Sequence, residues 1–256
     1  MPRIKPASHE DRFTIVEHLD ELRFRVVVAL IAFGVALGLC LWQSALLLDI
    51  ANGPLPGGFE PITFSVSEPF MTTLTVAAYG ALILSLPVIL YQAYAFLLPA
   101  FTPKERSIAR PLVILIPILF IAGVVFGYFI VLPAATNFML GFNSTQFDVQ
   151  VRAREYYGFF ATTLVALGIL FQVPVVVLAL TRLGVLTPEK LSSNRRYAVL
   201  VIAVIAMLLP GTDPLTMLIS MLPLYLLFEF SIVLSKLAAR KQTTTDGATA
   251  PAGPPG

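Results

Sequence analysis

Long apolar runs divide this chain, and polar segments that carry most of its charge separate them. Six runs stand out, at residues 26–48, 69–100, 111–142, 156–181, 197–209 and 214–234. A helix needs about 20 apolar residues to cross the hydrocarbon core of a bilayer. All the runs except the short fifth one reach this length. The pattern predicts an all-α integral membrane protein with six transmembrane helices.

Prolines lie inside or near the ends of several runs. They are Pro87, Pro99, Pro117, Pro133, Pro174 and Pro223. A proline inside a helix removes a hydrogen bond and kinks the axis, so we expect long, tilted or kinked helices. The fifth run forms a hairpin with the sixth around residues 210–214. Since this hairpin is too short for a full bilayer, it predicts local thinning of the membrane.

Lysine and arginine are distributed unequally between the two sides of these runs. Of the 17 basic residues, only Arg152 and Arg154 lie in the segments after runs one, three and five. Loops rich in lysine and arginine stay in the cytoplasm. Both ends of the chain are therefore predicted to be cytoplasmic. An odd number of spans would no longer place the basic segments on one side of the membrane, so the charge distribution also supports six spans.

The two ends of the chain differ in character from the apolar runs. At helical spacing, Ile15, Leu19, Leu22 and Val26 form an apolar stripe, which predicts an amphipathic lead-in at the membrane interface. The last residues are mostly Thr, Ala, Pro and Gly, a composition typical of disorder. These patterns predict a cytoplasmic lead-in, a six-helix membrane domain and a disordered cytoplasmic tail, at residues 1–23, 24–236 and 237–256.

Composition supports a membrane protein and argues against an enzyme. The chain is 57% hydrophobic and 12% charged, whereas a soluble domain carries about 25% charged residues. The net charge of +2 is too small to indicate a nucleic-acid partner. The single cysteine, Cys40, excludes an internal disulfide or a cysteine metal cluster. Because Glu229 is the only acid inside the runs, we predict no catalytic site, no metal site and no cofactor.

Two polar residues inside apolar runs each allow two interpretations. For Glu229, a hydrogen bond to a neighbouring helix near the interface is favoured over a contact with a partner helix. Gln172 lies beside Pro174, which frees the carbonyl of Leu170 from its usual bond. Gln172 could satisfy this loosened backbone, or it could anchor a partner helix inside lipid. The residues alone favour neither interpretation.

Two acids lie on the predicted cytoplasmic face. Glu21 stands four residues before Arg25, a spacing that favours a structural ion pair, and Glu105 lies among bases in a predicted loop. Two carboxylates on one face could also hold a ligand with two guanidinium groups, because each guanidinium matches a carboxylate in a planar fork. For each acid taken alone, the structural or solvated role is favoured.

Several segments resemble the TatC family, the central subunit of the twin-arginine protein translocase. His18 to Arg25, HLDELRFR, is similar to the N-terminal signature of the family. Further similar segments follow in order: SLPVILYQAYAFLLP at 85–99, KER at 104–106, FGYF at 126–129, FQVP at 171–174 and GVLTPE at 184–189. Each segment is weak alone, but together they cover most of the chain between His18 and Glu229.

The resemblance implies a fold and a function. The fold is a cupped bundle of six tilted helices. The function is recognition of twin-arginine signal peptides of folded cargo at the cytoplasmic face, with transport driven by the proton-motive force. The implied partners are the single-span subunits TatA and TatB and further copies of the chain. The implied location is the bacterial cytoplasmic (inner) membrane. The alternative, a small-solute secondary transporter, is weak because the chain shows no internal repeat and few buried charges.

Site residues carried over from the family fall into three groups. The resemblance implies signal-peptide binding by Glu21, Glu105, Arg23 and Phe96, partner-helix contact by Gln172, Met207 and Asp213, and a structural role in the first outer loop for Pro54. Two positions depart from the family pattern. Glutamate is common where this chain has Gln172, and a polar residue is common where it has Met217.

Overall fold

In the computed structural model, the described residues are 15–97, 103–147, 149–182, 186–209 and 214–247. Within these ranges every regular element is a helix. In chain order they are α1 Ile15–Trp42, α2 Ser44–Asn52, α3 Glu68–Leu97, α4 Pro103–Phe126, a π-helical turn Gly127–Val131, α5 Leu132–Gly141, α6 Ala153–Leu170, α7 Val173–Arg182, α8 Pro188–Ser193, α9 Arg195–Met207 and α10 Pro214–Gly247. The all-α prediction is confirmed.

Five helical spans are long and apolar enough to cross a membrane. They are Leu19–Trp42, Glu68–Phe96, Val113–Gly141, Ala153–Thr181 and Pro214–Lys236. The remaining predicted run corresponds to α9, which has 13 residues. At 1.5 Å per residue this helix is about 20 Å long, shorter than a hydrocarbon core of about 30 Å. The fifth helix is therefore short, as predicted.

Three of the apolar runs are interrupted. The fourth breaks at Phe171 and Gln172, immediately before the fully buried Pro174, as a proline there predicts. The third contains the π-helical turn, which ends before Pro133. The first breaks at Gln43, where no proline lies nearby, and α2 continues beyond the predicted end of the run. This last break was not predicted, because no residue at that point disfavours a helix strongly.

The two ends of the bundle differ from their predicted boundaries. Helix α1 is continuous from Ile15 to Trp42, so the predicted lead-in is not separated from the first span. Helix α10 continues to Gly247, whereas disorder was predicted from residue 237. Residues 236–241 include Lys, Leu, Ala and Arg, which are good helix formers and account for the continuation as far as residue 241. Residues 248–256 lie outside the described ranges, and their disorder stays a prediction.

The bundle is held together by close packing of small residues. Helices α1 and α3 pack antiparallel through a cluster of Ala36, Cys40, Ala77 and Ala81. Cys40 is therefore a small buried core residue, the role that its apolar surroundings predict. The fourth span is the most buried of the five, and its first half, α6, packs against both α3 and α4.

Helices α4 and α6 approach each other at a pair of glycines. A Cβ atom at Gly123 would lie 2.7 Å from the carbonyl oxygen of Leu167. A Cβ atom at Gly168 would lie 2.5 Å from Cε2 of Phe120, which is itself buried. Since lipid chains are as apolar as the helices, close backbone contact of this kind is a main source of helix association in membranes.

We expect Gly168→Ala to destabilise the bundle. The added methyl group overlaps the Phe120 ring, and overpacking of a core costs about 1–3 kcal/mol. Gly158→Ala on the same helix is the matched control, because a Cβ atom there meets no atom within 4 Å. Thermal unfolding in detergent should show a lower Tm for Gly168→Ala only. Equal Tm values for the two variants would contradict tight packing at this crossing.

Candidate functional site

One end of the bundle brings Arg25, the ion-pair partner of Glu21 on α1, into contact with α3. The Arg25 side chain donates from Nε to Oε1 of Glu21 at 3.1 Å, and its Nη2 donates to the same oxygen. Its Nη1 donates to Oε1 of Gln92 on α3 at 3.3 Å. The Arg25 and Glu21 side chains are 21% and 27% exposed, so this cluster lies partly open to its surroundings. The i,i+4 ion pair expected from the spacing is present.

The antiparallel packing of α1 and α3 determines what else lies at this end. Glu21 is one turn before Arg25, and Phe96 is one turn after Gln92. Both therefore lie on the same side of the Arg25–Gln92 contact, towards the end of the bundle that the charge pattern assigns to the cytoplasm. Phe96 is half-buried, and Arg23 is exposed.

Glu105 is described only through its backbone. It lies in the first turn of α4, which begins six residues after the end of α3. Its side chain and residues 98–102 lie outside the described part of the chain. The structure thus brings Glu21, Arg23 and Phe96 to one end and places the backbone of Glu105 in the helix that follows α3. The signal-peptide roles of these residues stay predictions.

At the opposite end, hydroxyl groups from the third and fourth spans hold the end of α2 and the first outer loop. Three of these hydroxyls donate to backbone carbonyls: Tyr128 to Ile50 at 2.9 Å, Tyr156 to Ala51 at 2.6 Å and Thr136 to Pro54 at 2.9 Å. The fourth, that of Tyr157, donates to the side-chain oxygen of Asn52 at 2.9 Å. Pro54 is buried. It belongs to a loop whose position is determined by hydrogen bonds from two other spans.

An ion pair that the sequence pattern did not reveal joins the start of α3 to the segment before α6. Glu68 at the start of α3 is 5% exposed, and its Oε1 accepts from Nε of Arg152 at 2.9 Å. Its Oε2 accepts from the backbone N–H of Phe64 at 3.0 Å. The hydrogen bond that Arg152 donates to Glu68 raises the pKa of the Arg152 guanidinium further. One feature of the sequence could have indicated this pair. Arg152 is one of only two basic residues in the segments after runs one, three and five.

The Glu68–Arg152 pair is reinforced by the backbone. The N–H of Ile62 donates to the carbonyl of Val151 at 2.8 Å, and the N–H of Ala153 donates to the carbonyl of Ile62 at 2.9 Å. These bonds form a short parallel bridge between the loops. Burying a carboxylate is costly unless it is paired and hydrogen-bonded, and here both conditions are met.

We expect Glu68→Gln to lower the Tm of the purified protein, because the buried partner of Arg152 loses its negative charge. Glu155→Gln is the matched control, since Glu155 is 74% exposed and lies 3.4 Å from Arg152. In a double-mutant cycle, Glu68→Gln with Arg152→Gln should cost less than the sum of the single changes. Strict additivity would show that the two side chains do not stabilise each other.

Gln172 lies at the break between α6 and α7 and is 6% exposed. Its Nε2 donates to the carbonyl of Ile116 on α4 at 3.2 Å and to that of Gly168 at 3.5 Å. In a regular helix the backbone N–H of Gln172 would donate to the Gly168 carbonyl. Here it donates to the carbonyl of Ile169 instead, so the Gly168 carbonyl lacks its usual donor. Gln172 thus satisfies loosened backbone, although at Gly168 and not at Leu170. Its Oε1 is buried and has no hydrogen-bond partner among the described residues.

The hairpin of α9 and α10 carries the remaining predicted residues. Met207 at the end of α9 is 63% exposed, and Asp213 lies outside the described ranges. Glu229 on α10 forms a two-bond fork with Arg195 at the start of α9, at 2.7 and 3.1 Å. The Tyr225 hydroxyl adds a bond at 3.0 Å. The favoured interpretation of Glu229, a bond to a neighbouring helix, agrees with this geometry.

These features define a polytopic helical membrane protein whose ionic contacts, in the part described, lie at the ends of its spans. The family model described as "Sec-independent protein translocase protein (TatC)" matches residues 17–223. The chain therefore belongs to the TatC family, which confirms the resemblance and, with it, the six-helix fold class.

Individual relatives agree with the family match. Over 233 residues the chain is 36% identical to the Sec-independent protein translocase protein TatC of Aquifex aeolicus, covering 89% of this chain and 97% of that protein. It is 33% identical to the chloroplastic protein of Pisum sativum, covering 90% and 66%. A crystal structure described as "Twin Arginine Translocase Receptor- TatC" matches with a TM-score of 0.74 and 36% identity, over 87% of this chain and 99% of that one.

Proposed function

We propose that this chain is the signal-peptide receptor and membrane scaffold of a twin-arginine translocase that exports folded proteins by using the proton-motive force. Membership of the TatC family carries this proposal. The relatives are named Sec-independent protein translocase proteins, and a matching solved structure is described as a twin-arginine translocase receptor. The alternative of a small-solute transporter receives no support from these comparisons.

The proposed setting is a bacterial cytoplasmic membrane, with both ends of the chain in the cytoplasm. The five long apolar spans support a multi-pass membrane protein. The bacterial relative from Aquifex aeolicus supports the bacterial membrane. The excess of lysine and arginine on one side supports the orientation. In this orientation the end that carries Glu21 and Phe96 faces the cytoplasm, where a signal peptide first meets the membrane.

The proposed recognition site consists of Glu21, Glu105, Arg23 and Phe96. A carboxylate binds a guanidinium in a planar fork that the point charge of lysine cannot reproduce. Glu21 already accepts two hydrogen bonds from a guanidinium, that of Arg25, which supports a role for its carboxylate as a guanidinium acceptor. Phe96 at the same end could supply apolar contact for the rest of the peptide.

The proposed partners are the single-span subunits TatA and TatB, with self-association of the chain in the complex. Gln172, Met207 and Asp213 are the proposed contacts for partner helices. Two observations support this choice. The Oε1 of Gln172 is buried and unpartnered within the described part of the chain, and Met207 presents an exposed apolar side chain at the end of the short helix.

We expect the purified protein to bind a signal peptide with paired arginines more tightly than the same peptide with paired lysines. Glu21→Ala and Glu105→Ala should each weaken binding of the arginine peptide, because each removes one carboxylate fork. Asp20→Ala is the matched control, since Asp20 is an exposed acid next to Glu21. Titration of a fluorescent peptide against protein in lipid nanodiscs measures all five affinities.

Two results would contradict the assignment. Unchanged arginine-peptide binding in the Glu21/Glu105 double variant would remove these acids from the site. Equal binding of the arginine and lysine peptides by the unmodified protein would remove the receptor function itself.

For the partner surface, we expect Gln172→Leu to lower the recovery of a co-expressed single-span subunit on co-purification. The leucine removes the buried amide oxygen that has no partner, as well as the bond to Ile116. Gln172→Glu is the informative comparison, because it keeps a side-chain oxygen that can accept a hydrogen bond. If Gln172→Leu recovers as much partner as the unmodified chain, Gln172 serves only to satisfy the backbone at the break.

A further inference from the structure

We infer that Arg25 is an internal competitor for the recognition site: it occupies Glu21 in the absence of peptide and transfers to Gln92 when a peptide arginine binds. This inference rests on the proposed function, because it concerns the same carboxylate. It goes further by assigning a role to two residues, Arg25 and Gln92, that the family resemblance did not single out.

The first step is the chemistry of the resident contact. Arg25 presents Nε and Nη2 to Oε1 of Glu21, the same pair of donors that an incoming arginine would use. A second guanidinium on this carboxylate would stand within a few ångströms of the Arg25 cation, and like charges at such distances repel. A peptide arginine therefore binds best when Arg25 withdraws.

The second step is the place to which Arg25 withdraws. Its Nη1 already donates to Oε1 of Gln92 at 3.3 Å, across the contact between α1 and α3. Gln92 is half-buried and its amide oxygen is a neutral acceptor. Arg25 can therefore leave Glu21 without losing every partner, and a short side-chain movement on a fixed helix pair is sufficient. Glu21 and Gln92 are the two acceptors between which the guanidinium is shared.

The third step is the effect on binding. Removing Arg25 removes this competing guanidinium in advance, so the peptide no longer displaces the Glu21–Arg25 ion pair. Removing the Gln92 acceptor has the opposite effect, because the displaced guanidinium then loses its hydrogen bond to this residue of α3. A purely structural Arg25–Gln92 contact between the two helices would respond differently, since either change would then weaken the site.

The experiment measures the affinity of the full-length protein in lipid nanodiscs for the twin-arginine peptide. We expect Arg25→Gln to bind about two- to fivefold more tightly, the scale of a partly exposed ion pair, and Gln92→Met to bind more weakly. Arg25→Gln combined with Glu21→Gln should show no gain. Arg196→Gln is the matched control for charge, because Arg196 is exposed, stacks on Tyr197 and lies on the same predicted face.

Three results would overturn the inference while the receptor function stands. They are equal or weaker binding by Arg25→Gln, an equal gain from Arg196→Gln, and a gain that persists when Glu21 is also replaced. If Arg25→Gln does not fold, Arg25→Met and Gln92→Met decide the question, since methionine also removes the competing cation and Arg25→Met should therefore bind the peptide more tightly. If the unmodified protein does not prefer paired arginines over paired lysines, the proposed function fails and the inference fails with it.

Discussion

Hydrocarbon offers no hydrogen-bond partner, so every backbone polar group inside a span must be satisfied by the protein itself. This constraint makes the spans helical, and it also explains where the few polar side chains of this apolar chain are placed. At the break between α6 and α7, the Gln172 amide donates to a carbonyl that has lost its helical donor. Where α2 approaches its end, the Tyr128 hydroxyl of the π-helical turn donates to the Ile50 carbonyl.

The same constraint moves charge to the ends of the spans and favours arginine as the partner of each acid. Among the described ion pairs, Glu21, Glu68 and Glu229 each bind an arginine. A planar guanidinium satisfies a carboxylate with two bonds at once, which matters where water is scarce. The pairs of Glu68 and Glu229 join separate elements and so determine the positions of helix ends. The pair of Glu21 lies within one helix, and its Arg25 also donates to Gln92 of α3, so this guanidinium already has two acceptors.

Receptor and scaffold roles are therefore compatible in one small bundle. Tight contact at Gly123 and Gly168 and the hydroxyl bonds to the first outer loop make the interior and the outer end rigid. The end that carries Glu21 and Phe96 is built on the same antiparallel helices, so its carboxylate is held at a defined position. A site on packed helices loses little freedom on binding, which favours specificity for one donor geometry.

Local signals determined the class of the protein and the residues carried over from its family. The apolar runs predicted six helices because five of them are long enough to cross a bilayer and the partition of lysine and arginine requires an even number of spans. The break before Pro174 followed from the chemistry of proline. The break at Gln43 had no such signal. Glu68 and Arg152 are 84 residues apart, and Arg25 and Gln92 are 67 apart. Only the tertiary structure decided these contacts, because they depend on the rotation and tilt of packed helices, which hydropathy along a chain does not encode.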